Sequence, residues 1–465
     1  MGILDSRQAP IREKRLRTLS AYYGKVDKFK EENKNGIDKQ KIRTFSQGTY
    51  DEIIYALEVV SNIEDSVIVI HGPAGCSNGK SHFKNIRNKC YVSNIDEGET
   101  ILGGDDSLRN TIELAFNENK NVKVIFILST PVIAINNDDI LGIVSEIENE
   151  IGAKIIFINT DGFKSRVATN GYDLALYSIG KNLINDKEKK EEFINLISIS
   201  ESPRDVEAIV LILKELGISI NLIPRYSEIE SFNRAGKGKV TIALNDTQGN
   251  ILGEILKEEF NVPYIKSNTP IGILNTSNWI RLIAEEFGLT NEAKEFIEKE
   301  RLKVDSLLRE APLYGLSFYI DLSTEETFSF INMIEELGGK VIGITLEEID
   351  EENKEKLSRI NDDIELHIAN GQQFEIANIL NKLKPDIYIS NKKSIGWVVK
   401  LGVTPISIDR LGVYGFQGLS NVVNAIKRIR SNRGFINNIG KKENLNYRKV
   451  WINKSTNWFI KQEVK

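Results

Sequence analysis

Short apolar runs alternate with longer amphipathic segments along most of this sequence. Runs of four to seven largely β-branched residues predict buried strands, and apolar residues spaced three and four apart predict helices. In the first third of the chain, strands are predicted at 66–70, 122–128 and 153–159, with helices at 107–119 and 140–152 between them. Regular alternation of this kind indicates an α/β fold with mainly parallel sheets.

Two further rounds of the same pattern follow. They contain predicted strands at 194–200, 218–224 and 239–245 with helices at 204–217 and 250–260, then strands at 316–322, 340–346, 365–370 and 386–391 with a helix at 325–338. Each round has the strand, helix, strand period of a Rossmann-like unit. We therefore predict three Rossmann-like domains around a cleft.

The predicted domain bounds follow from where one round ends and the next begins. Charge runs at 187–192 and 351–356 are typical of solvated helix ends. The predicted parts are an N-terminal arm at 1–40, domains at 41–195, 196–312 and 313–432, and a C-terminal arm at 433–465. The last arm carries Trp451 and Trp458, and we expect it to pack on the body or on a partner.

Composition narrows the class of protein. A net charge of −5, from 61 basic and 66 acidic residues, gives no basic footprint for nucleic acid. No apolar run approaches the roughly 18 residues that a membrane span needs. The first residues lack the apolar core of a secretory signal, and two cysteines cannot build a disulfide framework. A cytoplasmic protein without a membrane or nucleic-acid partner is the expectation.

The segment SVIVIHGPAGCSNGKSHF, residues 66–83, carries the candidate chemistry. Residues 74–81 match a relaxed phosphate-loop pattern, in which Lys80 and Ser81 would contact phosphate and magnesium. However, Ala74 replaces the first glycine, and the strand predicted at 122–128 does not end in the aspartate that magnesium requires. The pattern therefore does not predict a nucleotide site.

Two interpretations of Cys76 remain open from the loop alone. A thiolate in a loop after a strand is a normal ligand of an iron–sulfur cluster, and Gly72 and Gly75 leave room for sulfide to approach the backbone. Alternatively, Cys76 is a small buried apolar residue. The loop by itself does not separate these two interpretations.

The wider sequence resembles nitrogenase component 1, a family that includes molybdenum–iron protein subunits, cofactor-scaffold subunits and dark-operative protochlorophyllide reductase. The resemblance covers most of residues 40–430 in the right order. It rests on HGPAGC at 71–76, NIDEGETILGGDDSLRNTI at 94–112, VIFILSTPVIAINNDDI at 124–140, INTDGFKS at 158–165, TPIGILNTSNWI at 269–280 and ISIDRLGVYGFQGLSNVVNAI at 406–426. Each motif alone is weak, whereas the ordered series is specific.

The departures from the family pattern bear on metal binding. Full cluster-binding subunits carry three cysteines in the first domain, whereas this chain has Ser46 at the first position, Ser129 at the third and only Cys76 between them. This arrangement resembles the N-type scaffold subunit. The resemblance implies that Cys76 is the fourth ligand of a [4Fe–4S] cluster shared with a partner that supplies three cysteines.

Few residues other than Cys76 are candidate metal ligands. The middle domain has no cysteine and residues 404–415 have no histidine, so no ligands of an iron–molybdenum cofactor are found. Cys90 is expected to be a structural or free thiol, unless a homodimer combines Cys76 and Cys90 of both chains. We expect a structural hydrogen bond for His71, a core position for His367 and, less readily, an interface position for His82.

The resemblance leaves three functions open. The preferred one is a subunit of a nitrogenase-like reductase, in an α₂β₂-type assembly with a second component 1-like subunit or with itself. An ATP-driven iron protein would then supply electrons to the shared cluster. The alternatives are a cofactor-assembly scaffold subunit and a metal-free structural partner.

Overall fold

The computed structural model describes residues 9–33, 41–43, 51–76, 88–185, 190–392, 395–442, 447, 449–458 and 460–462. The chain divides into two compact units, each built from several segments. Unit 1 comprises Met1–Arg15, Tyr50–Ser200 and Ile218–Lys266. Unit 2 comprises Leu16–Thr49, Glu201–Gly217 and Ser267–Lys465.

The strands in the described residues are short, as is usual for α/β proteins. They are β1 (Tyr22–Lys25), β2 (Lys41–Arg43), β3 (Ser66–His71), β4 (Cys90–Val92), β5 (Val124–Ser129), β6 (Lys154–Ile158), β7 (Glu191–Ser198), β8 (Ser219–Pro224), β9 (Gly238–Ala243), β10 (Tyr264–Ile265), β11 (Ser317–Asp321), β12 (Lys340–Leu346), β13 (Glu365–Ile368), β14 (Ile387–Ser390), β15 (Thr404–Ser407) and β16 (Ile460–Gln462).

Helices connect most of these strands. They are α1 (Arg12–Arg15), α2 (Val26–Asn33), α3 (Glu52–Val60), α4 (Glu99–Leu102), α5 (Asp105–Glu118), α6 (Pro131–Asn136), α7 (Ile140–Ile151), α8 (Asn170–Leu183), α9 (Pro203–Glu215), α10 (Ile229–Asn233), α11 (Asp246–Phe260), α12 (Gly272–Phe287), α13 (Thr290–Arg309), α14 (Thr324–Glu336), α15 (Glu351–Ser358), α16 (Gln373–Leu383), α17 (Gln417–Arg430), α18 (Arg433–Lys442) and α19 (Lys449–Ile452).

The first sheet of unit 1 is parallel and has the order β4-β3-β5-β6. Every side chain of β3 and β5 is buried, as expected for strands covered on both faces. Because side chains alternate across a strand, Val67 and Ile125 pack in one apolar layer, whereas Ile68 and Phe126 pack in the other. The carboxyl edge of the sheet therefore follows directly from strands that are buried on both faces.

The second sheet of unit 1 is also parallel and has the order β10-β9-β7-β8. Its residues Ile197, Ile223 and Ala243 belong to the same apolar cluster as Ile68 and Phe126 of the first sheet. One continuous core therefore joins the two sheets of unit 1.

Unit 2 contains a sheet of order β1-β13-β12-β11-β14-β15, parallel except for β1. Strand β1, from the segment predicted as an N-terminal arm, pairs antiparallel with β13, with Tyr22 opposite Ile368. In the C-terminal segment, Asn378 Nδ2 donates to the carbonyl of Lys454 at 2.9 Å. This bond ties the chain's end to α16 within the unit.

The predicted fold class is confirmed: the chain is α/β with mainly parallel, Rossmann-like sheets. Most predicted strands lie within a few residues of the observed ones, and α9 begins at Pro203. The predicted domain bounds stay a prediction. Among the described helices, none is both long and apolar enough to cross a membrane.

Candidate functional site

The loop that contains Cys76 starts at the point where the strand order of the first sheet reverses. The chain passes from β3 outward to β4, then returns to β5 on the other side of β3. His71 and Ser129, the last residues of β3 and β5, lie opposite each other in the pairing register. In open α/β sheets, ligands bind in the crevice outside the carboxyl ends of strands at such a switch point.

Gly72 lets the loop approach the neighbouring strand end closely. Its φ is +151°, and a Cβ there would lie 2.1 Å from Oγ1 of Thr130. The backbone N–H of Thr130 also donates to the carbonyl of His71 at 3.1 Å. The space beside Gly72 is thus filled by Thr130, whereas a Cβ on Gly75 would meet no atom of the described residues within 4 Å. Among the described residues, space for a ligand therefore lies at Gly75.

Cys76 ends a short 3₁₀ turn of residues 74–76, in which its N–H donates to the carbonyl of Pro73 at 3.0 Å. The residue is half-buried. Burial raises the pKa of its thiol, and the nearby carboxylate of Asp51 adds to the increase. Without a metal or another positive charge, this thiol is therefore less ionised than a free cysteine.

Cys90 has different surroundings. It lies at the start of β4, opposite Ile68 in the middle of β3, and packs against the apolar core of unit 1. Its Sγ lies 3.9 Å from the carbonyl oxygen of Tyr91. These contacts favour the structural role predicted for Cys90, and whether it binds metal in a homodimer stays a prediction.

His71 is fully buried, and both of its ring nitrogens have partners. Nδ1 lies 2.8 Å from Oγ of Ser93, and Nε2 lies 3.1 Å from Oδ2 of Asp138. The same carboxylate oxygen accepts the N–H of Gly104 at 3.2 Å. Burial lowers the pKa of His71, while Asp138 opposes that effect. The imidazole therefore ties the end of β3 to two neighbouring loops, in agreement with the structural bond predicted for it.

Ser129, the expected substitute for a third cysteine, is already engaged. Its hydroxyl lies 3.0 Å from Oδ1 of Asn159 and accepts the N–H of Thr160 at 3.1 Å. Its neighbour Thr130 contacts the Cys76 loop, and Oγ1 of Thr130 is buried without a hydrogen-bond partner among the described residues. The contact of Thr130 with the Cys76 loop was not predicted from the sequence. The available signal was the position of Thr130 between the end of β5 and Pro131, the first residue of α6.

Four residues considered in the sequence lie outside the described part of the chain. They are Ser46, Lys80 and Ser81 of the relaxed phosphate-loop pattern, and His82. The absence of a nucleotide site at residues 74–81 and the position of Ser46 where the family has its first cysteine therefore stay predictions from the sequence. In the described residues, no group of three or more His, Cys, Asp or Glu side chains could hold a metal ion.

Large apolar side chains are exposed near this edge of the first sheet. Ile101 and Leu102 of α4 are 82% and 89% exposed, and Ile135 of α6 is 73% exposed. Helix α4 leads directly into Gly104, which is bonded to Asp138, and α4 packs on α6. We call Ile101, Leu102 and Ile135 the apolar rim. Because exposed apolar patches are typical of interaction surfaces, the apolar rim is a candidate contact surface.

The residues present supply one ligand for a cluster and not a complete set. An iron–sulfur cluster of the four-iron type takes four protein ligands, usually thiolates. Cys76 offers one sulfur beside the open space at Gly75, and Cys90 packs in the core. The donor set therefore fits a cluster only if another chain provides the remaining ligands.

The sequence is similar to known proteins along most of its length. Residues 53–429 match the family described as nitrogenase component 1 type oxidoreductase. The cofactor biosynthesis protein NifE of Methanococcus maripaludis is 24% identical over 385 residues, which is 79% of each chain. The nitrogenase molybdenum-iron protein alpha chain of Methanothermobacter marburgensis is 25% identical over 78% of this chain and 83% of its own.

A solved structure shares the fold. Nitrogenase Cp1 at pH 6.5 superposes with a TM-score of 0.71 at 20% identity, covering 83% of this chain and 91% of that chain. The family match spans well over half of the sequence and includes both the Cys76 loop and the Asp138 region. The chain therefore belongs to the nitrogenase component 1 type oxidoreductases.

Proposed function

We propose that this chain is a partner subunit in a nitrogenase component 1 type reductase and that Cys76 supplies one thiolate to a [4Fe–4S] cluster shared between subunits. The observation that carries the proposal is the position of Cys76, half-buried at the strand-order switch beside the open space at Gly75. The proposal includes a cytoplasmic location, where thiols stay reduced.

The apolar rim supports a second subunit on the same edge. Alpha and beta chains appear among the names of the relatives, which indicates assemblies of more than one kind of chain. We propose an α₂β₂-type assembly with a component 1-like partner that contributes the missing cysteines, or a homodimer if the partner is a second copy. An ATP-dependent iron protein would deliver electrons to this assembly.

Each residue near the cluster would have a separate task. When bound, the cluster would accept and pass on single electrons. Cys76 would hold one iron, and Gly75 would leave room for sulfide beside the backbone. The bond between His71 and Asp138 would fix the end of β3, where the loop starts. A scaffold subunit that holds a cofactor precursor without turnover would need the same residues, and the NifE relative supports this second candidate.

Metal content tests the proposal. The chain is purified anaerobically with its partner, and iron and sulfide are measured for Cys76→Ala and for Cys90→Ala as the matched control. We expect Cys76→Ala to lose most of the cluster while Cys90→Ala keeps it. Equal loss in both variants of a homodimer would favour ligation by both cysteines. Unchanged iron in both variants would leave the metal-free partner role.

Assembly and electron transfer separate the remaining alternatives. Leu102→Asp should weaken the association with the partner, whereas Leu302→Asp, on α13 and 74% exposed, should not. Electron delivery from a reduced iron protein to the assembly and onward to a substrate would support the reductase. A cluster that binds but never turns over would support the scaffold.

A further inference from the structure

A cavity lies beside β6, the edge strand of the first sheet, within unit 1. Its volume of about 520 Å³ is in the range of small-molecule sites. The residues that line it include Glu52, Phe157, Asn159, Asp161, Lys164 and Leu174. Cys76 is not among these residues, so the cavity is separate from the proposed cluster site.

The two carboxylates of the cavity already have their hydrogen bonds. Glu52 accepts from Asn170 Nδ2 through Oε1 and from the N–H of Gly162 through Oε2, both at 3.0 Å. Asp161 accepts the N–H groups of Phe163 and Lys164 through Oδ1, at 2.9 and 3.3 Å. Its Oδ2 lies 3.1 Å from Nζ of Lys164. Each of the four carboxylate oxygens therefore already has a partner.

Hydrogen-bond donors, in contrast, are left over. The hydroxyl of Ser129 accepts from the N–H of Thr160 and donates its own proton to Oδ1 of Asn159. That bond orients the amide of Asn159 and leaves Nδ2 with no acceptor among the described residues. Lys164 is half-exposed and uses one of its three ammonium protons on Asp161.

The edge strand adds a further donor. The N–H of Ile155 donates to Oε1 of Glu148 at 3.0 Å, so this peptide group points away from β5. Successive peptide groups of a parallel strand point to alternate sides. The N–H of Phe157, two residues after Ile155, therefore also points away from β5, toward the free edge of the sheet, and is the further donor. Apolar surface from Leu141, Phe157 and Leu174 completes the lining.

We propose that this cavity binds a small organic monocarboxylate, with its carboxylate at Asn159 Nδ2 and Lys164 Nζ and its apolar chain against Phe157 and Leu174. Free donors next to carboxylate oxygens that already have partners favour a ligand that accepts hydrogen bonds. A single negative charge fits better than a phosphate, because Asp161 shares Lys164 and would repel a dianion. The site is independent of the proposed cluster.

The test uses the full chain without added metal, with hexanoate as the probe and 1-hexanol and hexylammonium as matched molecules. Binding is measured by ligand-observed NMR and calorimetry. Asn159→Asp keeps the acceptor for Ser129 but replaces the free donor by a negative charge. Asn149→Asp adds the same charge on the exposed face of α7 as a control.

We expect saturable hexanoate binding that is at least 10-fold weaker in Asn159→Asp and unchanged in Asn149→Asp. Lys164→Met, at a half-exposed position, should also weaken binding and serves if Asn159→Asp fails to fold. Absence of saturable hexanoate binding, equal binding by 1-hexanol, or equal binding in the wild type, Asn159→Asp and Lys164→Met would overturn the proposal.

Discussion

The first sheet of unit 1 and the sheet of unit 2 both have a strand-order switch, yet their carboxyl edges differ. In unit 1 the switch lies between β3 and β5, and the loop beyond it presents a thiol and open space. In unit 2 the switch lies between β11 and β14, where Asp321 accepts the hydroxyl of Tyr388 and both oxygens contact Nζ of Lys392 at 2.9 Å.

Behind that ion pair, unit 2 continues with a buried chain of hydrogen bonds. Tyr319 bonds to Thr345 at 2.8 Å, Thr345 to Nδ1 of His367 at 3.2 Å, and Nε2 of His367 to Glu375 at 2.7 Å. The hydrogen-bonding groups at the edge of unit 2 thus have partners within the unit, whereas in unit 1 the described residues leave space at Gly75, next to Cys76. The topology permits a site at either switch, and the side chains at the strand ends decide which one can bind.

Of the substitutions considered, Gly72→Ala, at the carboxyl edge of the first sheet, should lower the free energy of unfolding most. The substitution would force a methyl group onto Thr130 at a backbone conformation that favours glycine, so we expect the free energy of unfolding to fall by about 4 kcal/mol. Gly75→Ala is the matched control and should change it little, because its Cβ meets open space. Chemical denaturation measures both, and similar losses for the two would contradict the close approach described at Gly72.

Asp321→Ala tests the closed edge. Its removal leaves the hydroxyl of Tyr388 and the ammonium of Lys392 without their shared acceptor, at a cost of about 3 kcal/mol. Asp362→Ala removes an ion pair with Lys30 whose carboxylate is 65% exposed, and should cost less than about 1 kcal/mol. Equal costs in denaturation experiments would mean that this ion pair does not close the edge of unit 2.

Glu52→Gln should alter the pH dependence of stability by a smaller amount. Burial raises the pKa of Glu52 from 4.5 to about 7. The folded state therefore holds a proton that the unfolded state releases, and stability falls as pH rises from 5 to 8, by about 2 kcal/mol from this group. Urea unfolding at each pH should give a flatter dependence for Glu52→Gln than for Glu150→Gln, which lies at an exposed position.

A contribution of the same sign is expected from unit 2. Burial also raises the pKa of Glu326 to about 7, with Asp205 and Glu201 nearby. A dependence that stays as steep in Glu52→Gln as in the wild type would assign the titration to Glu326 instead.

Local pattern was enough to predict the buried parallel strands, because runs such as 124–128 are apolar along their whole length. It was not enough for β1, which is four residues long, contains Gly24 and forms only by pairing with β13. Helix α12 was also missed, since Asn275, Thr276 and Ser277 have low helix propensity but are buried in its first turns. Tertiary packing overrides propensity at both places.

The candidate site likewise combines residues that the local pattern predicts with contacts that it does not. Cys76 and its glycines follow from a contiguous motif, so sequence alone located them. The bond between His71 and Asp138 joins residues 67 positions apart, and the contact of Thr130 with Gly72 depends on strand register. No local pattern encodes such pairings, because the fold creates them.

The pairing of β1 with β13 also has a consequence for biosynthesis. Tyr22 leaves the ribosome early, but its partner Ile368 follows only after most of the chain has been made. At about 5–20 residues per second, the antiparallel edge strand waits roughly 20–70 s for the strand beside it. During that interval its backbone groups need water, a chaperone or a temporary partner, so this edge of the sheet can form only late in synthesis or after it.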